Sequence, residues 1–137
     1  MTHHDFSLDP RLQADTAHVA SLGLCELLLM NDTRFPWLVL VPRRTGASEV
    51  YDLAAEEQEQ LWHEVRHAAQ ALRDVGPCDK LNLGALGNIV RQLHVHVVVR
   101  LEGDAAWPGP VWGSGKATPY APAGLASMLE SLRAALC

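Results

Sequence analysis

The stretch Arg91-Gln92-Leu93-His94-Val95-His96-Val97-Val98-Val99-Arg100 carries the clearest structural signal in the chain. Its β-branched run and its alternation around two histidines predict a strand over residues 91–100. In a pleated strand residues two apart share a face, so Gln92, His94 and His96 form one row spaced about 6.7 Å apart. Leu93, Val95, Val97 and Val99 take the opposite face, where a helix layer can bury them. Exposed or merely hydrogen-bonded histidines are the plain alternative, but a core strand has no packing reason to carry a polar row. The row is therefore expected to look into a cleft or at solvent.

Upstream, residues 80–86 read as a strand that pairs with it through a loop containing Gly87-Asn88. A long helix is predicted over residues 54–75, stopped by Gly76-Pro77, with Leu61, Val65, Ala68, Ala69 and Leu72 recurring at three- and four-residue spacing on the face laid against the sheet. Before it, residues 24–30 and 37–41 form two more strands, and their short connection makes them antiparallel. Pro42 ends the second because it has no N–H to donate. Asp9-Pro10 opens a helical turn expected to end by Gly23. Residues 103–122, rich in Gly, Pro and Trp and without a period, should form a long irregular segment docked by Trp107 and Trp112. A closing amphipathic helix over residues 122–136 places Leu125, Met128, Leu129, Leu132 and Leu136 on one side. Two hairpins separated by a helix predict an α+β fold with an antiparallel meander. The 137 residues are expected to form a single domain.

A formal charge of -5 argues against a general nucleic-acid surface, while a single nucleotide in a pocket remains compatible. Cys25, Cys78 and Cys137 have no spacing that suggests a disulfide framework or a zinc knuckle, and read as reduced cytoplasmic thiols. The first residues lack a basic start followed by an apolar run, and no apolar stretch approaches the ~18 residues of a membrane span. A cytoplasmic protein is expected, with no membrane contact. His3 and His4 read as solvated terminal residues.

One motif competes with the strand. His63-Glu64-Val65-Arg66-His67 satisfies His-Glu-x-x-His, in which two histidines one helical turn apart bind catalytic zinc. At ~100° per residue, however, His63 and His67 lie opposite the Leu61, Val65, Leu72 stripe, on the side expected to face water. A catalytic zinc also needs a third protein ligand, which neither the extension of this motif nor the predicted strands supply for His94 and His96. No metal or other cofactor is therefore expected.

The row Gln92-x-His94-x-His96 with its apolar spacers resembles the histidine triad of the HIT superfamily, with glutamine at the first position. The resemblance extends through Lys80-Leu81-Asn82-Leu83-Gly84, Gly87-Asn88, Asn31-Asp32 and the Trp37 to Pro42 run, about residues 24–112 in all. It implies an α+β fold assembled as a symmetric homodimer. It also implies that His94 attacks the α-phosphorus of a nucleotide to form a covalent nucleotidyl-histidine, which water then cleaves. Neutral imidazole suits that role, since its ordinary pKa is about 6.5. By the same resemblance His96 stabilises the departing group, and Asn82 and Asn88 contact phosphate oxygens. Gly87 lets backbone N–H groups approach the anion, and Asn31 or Asp32 holds the ribose hydroxyls. Gln92 can orient neighbours but cannot carry a proton.

Three positions depart from the family pattern. Besides Gln92, Trp37 stands where well-characterised branches carry a histidine, and Ile89 replaces the usual Ser or Thr. The nucleophile survives while three polar partners are expected to be lost. Two functions follow: a hydrolase of nucleoside phosphoramidates, dinucleoside polyphosphates or similar conjugates, or a nucleotide-binding module with little or no catalysis. A galactose-1-phosphate uridylyltransferase is disfavoured, because that branch has glutamine at the third position, where this chain has His96.

Overall fold

The computed structural model describes residues 5–137, so His3 and His4 lie outside the described residues. Helix α1, Pro10–Asp15, begins as the sequence predicts: Asp9 Oδ1 accepts the Arg11 N–H at 2.8 Å and Pro10 occupies the first turn. It is shorter than expected. Thr16–Ser21 forms a strand, β1, where a helical turn reaching Gly23 was predicted. Only Val19 of that strand is buried, and a bulge between His18 and Ala20 breaks its register with the next strand. Neither an apolar alternation nor a regular pairing announces it, so the partner strand decides its conformation.

Strands β2 (Cys25–Met30) and β3 (Trp37–Pro42) form the first hairpin, and β4 (Lys80–Gly84) and β5 (Val95–Arg100) the second. Helix α2 (Ala55–Val75) lies between the hairpins in sequence, and α3 (Pro122–Leu136) closes the chain. The sheet is antiparallel throughout and has five strands in the order β1-β2-β3-β5-β4, one more than expected. The last strand is also shorter than predicted. It starts at Val95, so Gln92 precedes it, and β4 stops at Gly84 rather than at Leu86.

Alternation divides the sheet into two faces. Leu27, Leu29, Leu38, Leu40, Val97 and Val99 are buried on one, beneath Leu61, Val65, Ala68 and Leu72 of α2 and Leu132 of α3. Each such leucine or valine side chain contributes about 1.5–3 kcal/mol on removal from water. Leu28, Trp37, Val39, Val41 and Val98 are buried on the other face, beneath Leu12 of α1, Phe35 and Val111. This second cover has no regular helix longer than α1, and its polar groups fasten it. Asp104, for instance, accepts from the N–H groups of Leu101, Ala106 and Trp107 while pairing with Arg100, a residue only 1% exposed.

The zinc-like motif on α2 serves the fold. His63 and His67 are exposed, as the wheel predicts, and His67 lies 3.2 Å from the Leu136 carbonyl. Glu64 is buried, and its carboxylate accepts the N–H groups of Leu24 and Cys25 at 2.8 Å each, which ties the helix to the start of β2. Among the described residues no group of three His, Cys, Asp or Glu is placed to hold a metal ion, and no helix is long and apolar enough to cross a membrane. The added strand β1 does carry His18, but β2 and β3 separate it from β5.

Candidate functional site

His96 belongs to β5 and sits in register between Val39 of β3 and Gly84 of β4. The pleat therefore turns it to the loop-covered face, with Trp37 and Val98. His94 stands at the entry to the strand, and the two rings meet edge to face with centroids 4.9 Å apart. Both are buried, at 7% and 6% exposure, yet both line a cavity of about 700 Å³, a size suited to a small-molecule ligand. A cavity rather than open solvent thus receives the two histidines.

Hydrogen-bond partners determine which nitrogen of each neutral ring carries the proton. His94 Nδ1 lies 2.7 Å from the Gln92 carbonyl oxygen, which can only accept, so Nδ1 is protonated and Nε2 keeps its lone pair. His96 has the opposite arrangement. Its Nδ1 lies 3.0 Å from the Trp37 indole nitrogen, which can only donate, so Nδ1 holds the lone pair and Nε2 the proton. The neighbouring rings accordingly offer one nucleophilic nitrogen and one N–H donor. Burial, with the charge of His94 as a smaller cause, lowers the His96 pKa from 6.5 to about 4. It is neutral at physiological pH.

Three segments wall the cavity around these rings. The turn after β2 contributes Asn31, Asp32 and Arg34, the loop after β4 contributes residues 86–90, and the long irregular segment contributes Val111 to Gly115. Leu12, Ala14 and Asp15 bring α1 to its edge. Gly87 adopts φ +75, a left-handed turn that suits glycine, and Asn88 is exposed beside it. Asn31 accepts the Tyr120 N–H through Oδ1 at 2.8 Å, and its NH2 group has no partner among the described residues. Asp32 is 1% exposed, and its carboxylate already accepts from Arg34 Nε and Nη2 and from the backbone N–H groups of Arg34 and Thr118. These donors lower its pKa against the opposing effect of burial.

Two residues of the expected set do not line the cavity. Asn82 Oδ1 is taken by Arg100 at 2.9 Å, so this side chain braces the buried Arg100–Asp104 pair instead of presenting its oxygen to a ligand. Gln92, having left the strand, turns its side chain to the N-terminal arm. Its Oε1 accepts the Asp9 N–H at 2.8 Å, and its Nε2 donates to the Ser7 carbonyl at 2.9 Å. The expected row of three is thus a pair, and the contribution of Gln92 to His94 comes from its backbone carbonyl.

Trp37 corrects the expectation that its position loses a polar partner, since its indole N–H supplies one. Sequence reasoning marked the position but missed the donor, although an indole buried beside a histidine is a sufficient signal. It missed Arg34 and the α1 residues, which no motif marks. It also missed the setting of Trp112, whose ring lies 5.5 Å from His96 and 6.4 Å from Trp37 between centroids. Gly84 makes that approach possible, because a Cβ there would lie 2.9 Å from the edge of the Trp112 ring. The Trp112 indole N–H is buried and has no partner among the described residues.

The HIT domain model matches residues 11–103 of the chain. A histidine triad (HIT) protein from Sinorhizobium meliloti superposes with a TM-score of 0.93 at 46% identity, covering 96% of this chain and 97% of that one. A histidine triad protein from Bradyrhizobium japonicum gives 0.93 at 42% identity, covering 96% and 98%. One from Marinobacter aquaeolei gives 0.93 at 44%, covering 96% of each. No protein with a curated description matches. With the domain match spanning most of the chain, and the histidine pair seated in a cavity at the centre of that domain, the chain belongs to the histidine triad (HIT) family.

Proposed function

We propose that this protein is a nucleotide hydrolase or nucleotidyl transferase that works through a covalent nucleotidyl-histidine on His94. HIT proteins bind nucleotides and are usually hydrolases or transferases, although some are non-catalytic. The observation that carries the reading is the pair of ring contacts, His94 Nδ1 against the Gln92 carbonyl and the Trp37 indole N–H on His96 Nδ1, which assign a lone pair to His94 Nε2 and an N–H to His96 Nε2. In the first step His94 Nε2 attacks the α-phosphorus, an N–P bond forms, and the leaving group departs with its electron pair. The Gln92 carbonyl, bound to Nδ1–H, stabilises the positive charge that develops on the ring. The His96 N–H donates to a phosphate oxygen. Water then attacks phosphorus, the N–P bond breaks, and the electron pair returns to Nε2 as a nucleoside monophosphate is released.

Gly87 and Asn88 hold the phosphate, and the free NH2 of Asn31 reaches the ribose. Asp32 shapes that corner through Arg34, and Asn82 braces the buried Arg100. The test is to mix the protein with a fluorogenic adenosine phosphoramidate and with diadenosine polyphosphates, and to trap the intermediate for mass spectrometry without acid. A mass increase of one nucleotidyl group on His94 is expected. A chelator should leave turnover unchanged, since no step uses a metal.

The competing reading is a nucleotide-binding module without turnover. Ile89, 78% exposed at the loop where a hydroxyl residue is usual, favours it. Tight nucleotide binding with no adduct on any substrate would establish that reading. Assembly as a symmetric homodimer completes the proposal. β4 is a free edge carrying exposed Leu83 and followed by exposed Leu86 and Ile89, the kind of edge a second copy covers. Sedimentation giving only a 15.0 kDa species at micromolar concentration would exclude it. The free cysteines fit a reducing, cytoplasmic location.

A further inference from the structure

Proton transfer from His96 to a leaving group requires either an imidazolium or a ring that can refill its proton from the other nitrogen. The second route is closed if Nδ1 is permanently occupied by a donor. Trp37 occupies it at 3.0 Å, and an indole nitrogen has a hydrogen to give and no lone pair to receive one. The indole is itself held. It is 7% exposed, packed edge-on against Phe35 at 6.4 Å and Trp112 at 6.4 Å, so it cannot swing aside to let water reach Nδ1. A histidine in its place would exchange protons with His96.

We infer that Trp37 is a positioning residue that locks His96 as an Nε2–H donor which keeps its proton, and thereby restricts the enzyme to leaving groups that depart as stable anions. The inference rests on the covalent reading above and selects among its substrates. A phosphate, nucleoside phosphate, carboxylate or acidic phenol leaves from the α-phosphorus with its electron pair and needs no proton. His96 then serves such a group by hydrogen bonding alone. An amine leaving a phosphoramidate must gain a proton as the P–N bond breaks, and the locked His96 has none to transfer. Nucleotidyl phosphates and nucleotidyl carboxylates are therefore the favoured class, and unactivated phosphoramidates the disfavoured one.

The lock is tested first without substrate. Nitrogen-15 NMR of the histidine rings at pH 7 should find His96 protonated at Nε2 alone, and a proton on Nδ1 or exchange between the two nitrogens would overturn the proposal. Replacing Trp37 with 3-benzothienylalanine, which keeps the ring shape and removes the N–H, should bring that exchange about. Trp37→Phe is the simpler variant, and the isosteric residue covers the case in which it fails to fold. Turnover is then measured on a series of aryl esters of AMP whose phenols differ in acidity, beside an adenosine phosphoramidate. A steep fall in kcat as the phenol weakens is expected for the wild type, with a shallower one for Trp37→His. The benzothienyl variant should lose about tenfold in kcat with KM unchanged, the equivalent of one hydrogen bond. Equal slopes for wild type and Trp37→His, or a phosphoramidate turned over as fast as the most acidic ester, would overturn the inference. Absence of turnover on every substrate would instead refute the covalent reading, and the NMR result would still decide the lock.

Discussion

Leu27, Leu29, Leu38 and Leu40 point to one face of the sheet, Leu28, Val39 and Val41 to the other, and the two sets are covered in different ways. On the first face, α2 and α3 lay periodic apolar stripes across the strands. On the second, the cover is the arm before α1, the turn after β2 and the segment between β5 and α3, and directed hydrogen bonds hold them down. Gln92 grips Ser7 and Asp9, Asn31 grips Tyr120, Asp32 grips Thr118, and Arg34 grips the Ser114 carbonyl at 2.6 Å. Apolar packing tolerates small shifts of a helix, whereas a cavity must present named atoms at fixed places. The site therefore lies on the face where geometry is specified bond by bond.

The contrast can be broken most sharply by separating chemistry from stability. His94→Asn removes the nucleophile from the loop-covered face, and its turnover should fall on the order of ten-thousand-fold, or roughly 5.5 kcal/mol of barrier, with nucleotide affinity kept. Comparable turnover by His94→Asn and wild type would withdraw the site. Leu72→Ala does the converse beneath α2. It should cost about 2–5 kcal/mol of stability by urea unfolding, while kcat per folded molecule stays unchanged. A kcat loss at Leu72 would mean that the two faces are mechanically coupled.

Protonation offers a third probe. The unfolded chain takes up a proton on His96 near pH 6.5, while the native state refuses it until about 4. Between those values the unfolded state binds more protons, so the stabilisation is present above pH 6.5 and is lost as pH falls toward 4. About 3 kcal/mol is expected between the limits, read from urea midpoints, and His96→Gln should flatten the profile over that window. An unchanged profile would assign the acid sensitivity to other groups.

These differences also explain what the sequence disclosed. Val95, Val97 and Val99, the α2 stripe and the hairpins were legible because burial against regular elements imposes a period. Thr16–Ser21 was illegible as a strand, since it buries Val19 alone and takes its conformation from β2. At the site His94 and His96 were legible from alternation, and the cavity-lining Asn31, Asp32, Gly87 and Asn88 came from the family resemblance. Gln92 and Asn82 were misplaced for one reason. Their amides are taken by protein partners, Asn82 by Arg100 on the neighbouring strand and Gln92 by the arm, and no local pattern records an 83-residue contact such as that between Gln92 and Asp9.

The smallest effect concerns that contact. Gln92→Ala should cost about 1–2 kcal/mol through two lost hydrogen bonds and speed hydrogen exchange at the Asp9 amide, with a modest rise in KM where α1 borders the cavity. Gln92→His should loosen the arm in the same way and leave kcat no higher, because the side chain at 92 faces the arm. A raised kcat would place that side chain back in the reaction.

Gly84 has a consequence for how this site can diverge. It lies opposite His96 in the sheet, and its missing side chain is the space into which the Trp112 ring fits. A larger residue there would displace the ring that backs His96, so growth at position 84 calls for a smaller side chain at position 112. They fit together as a ring and the notch that receives it, 28 residues apart in the chain. Neither histidine need change for such a paired replacement to reshape the wall of the cavity.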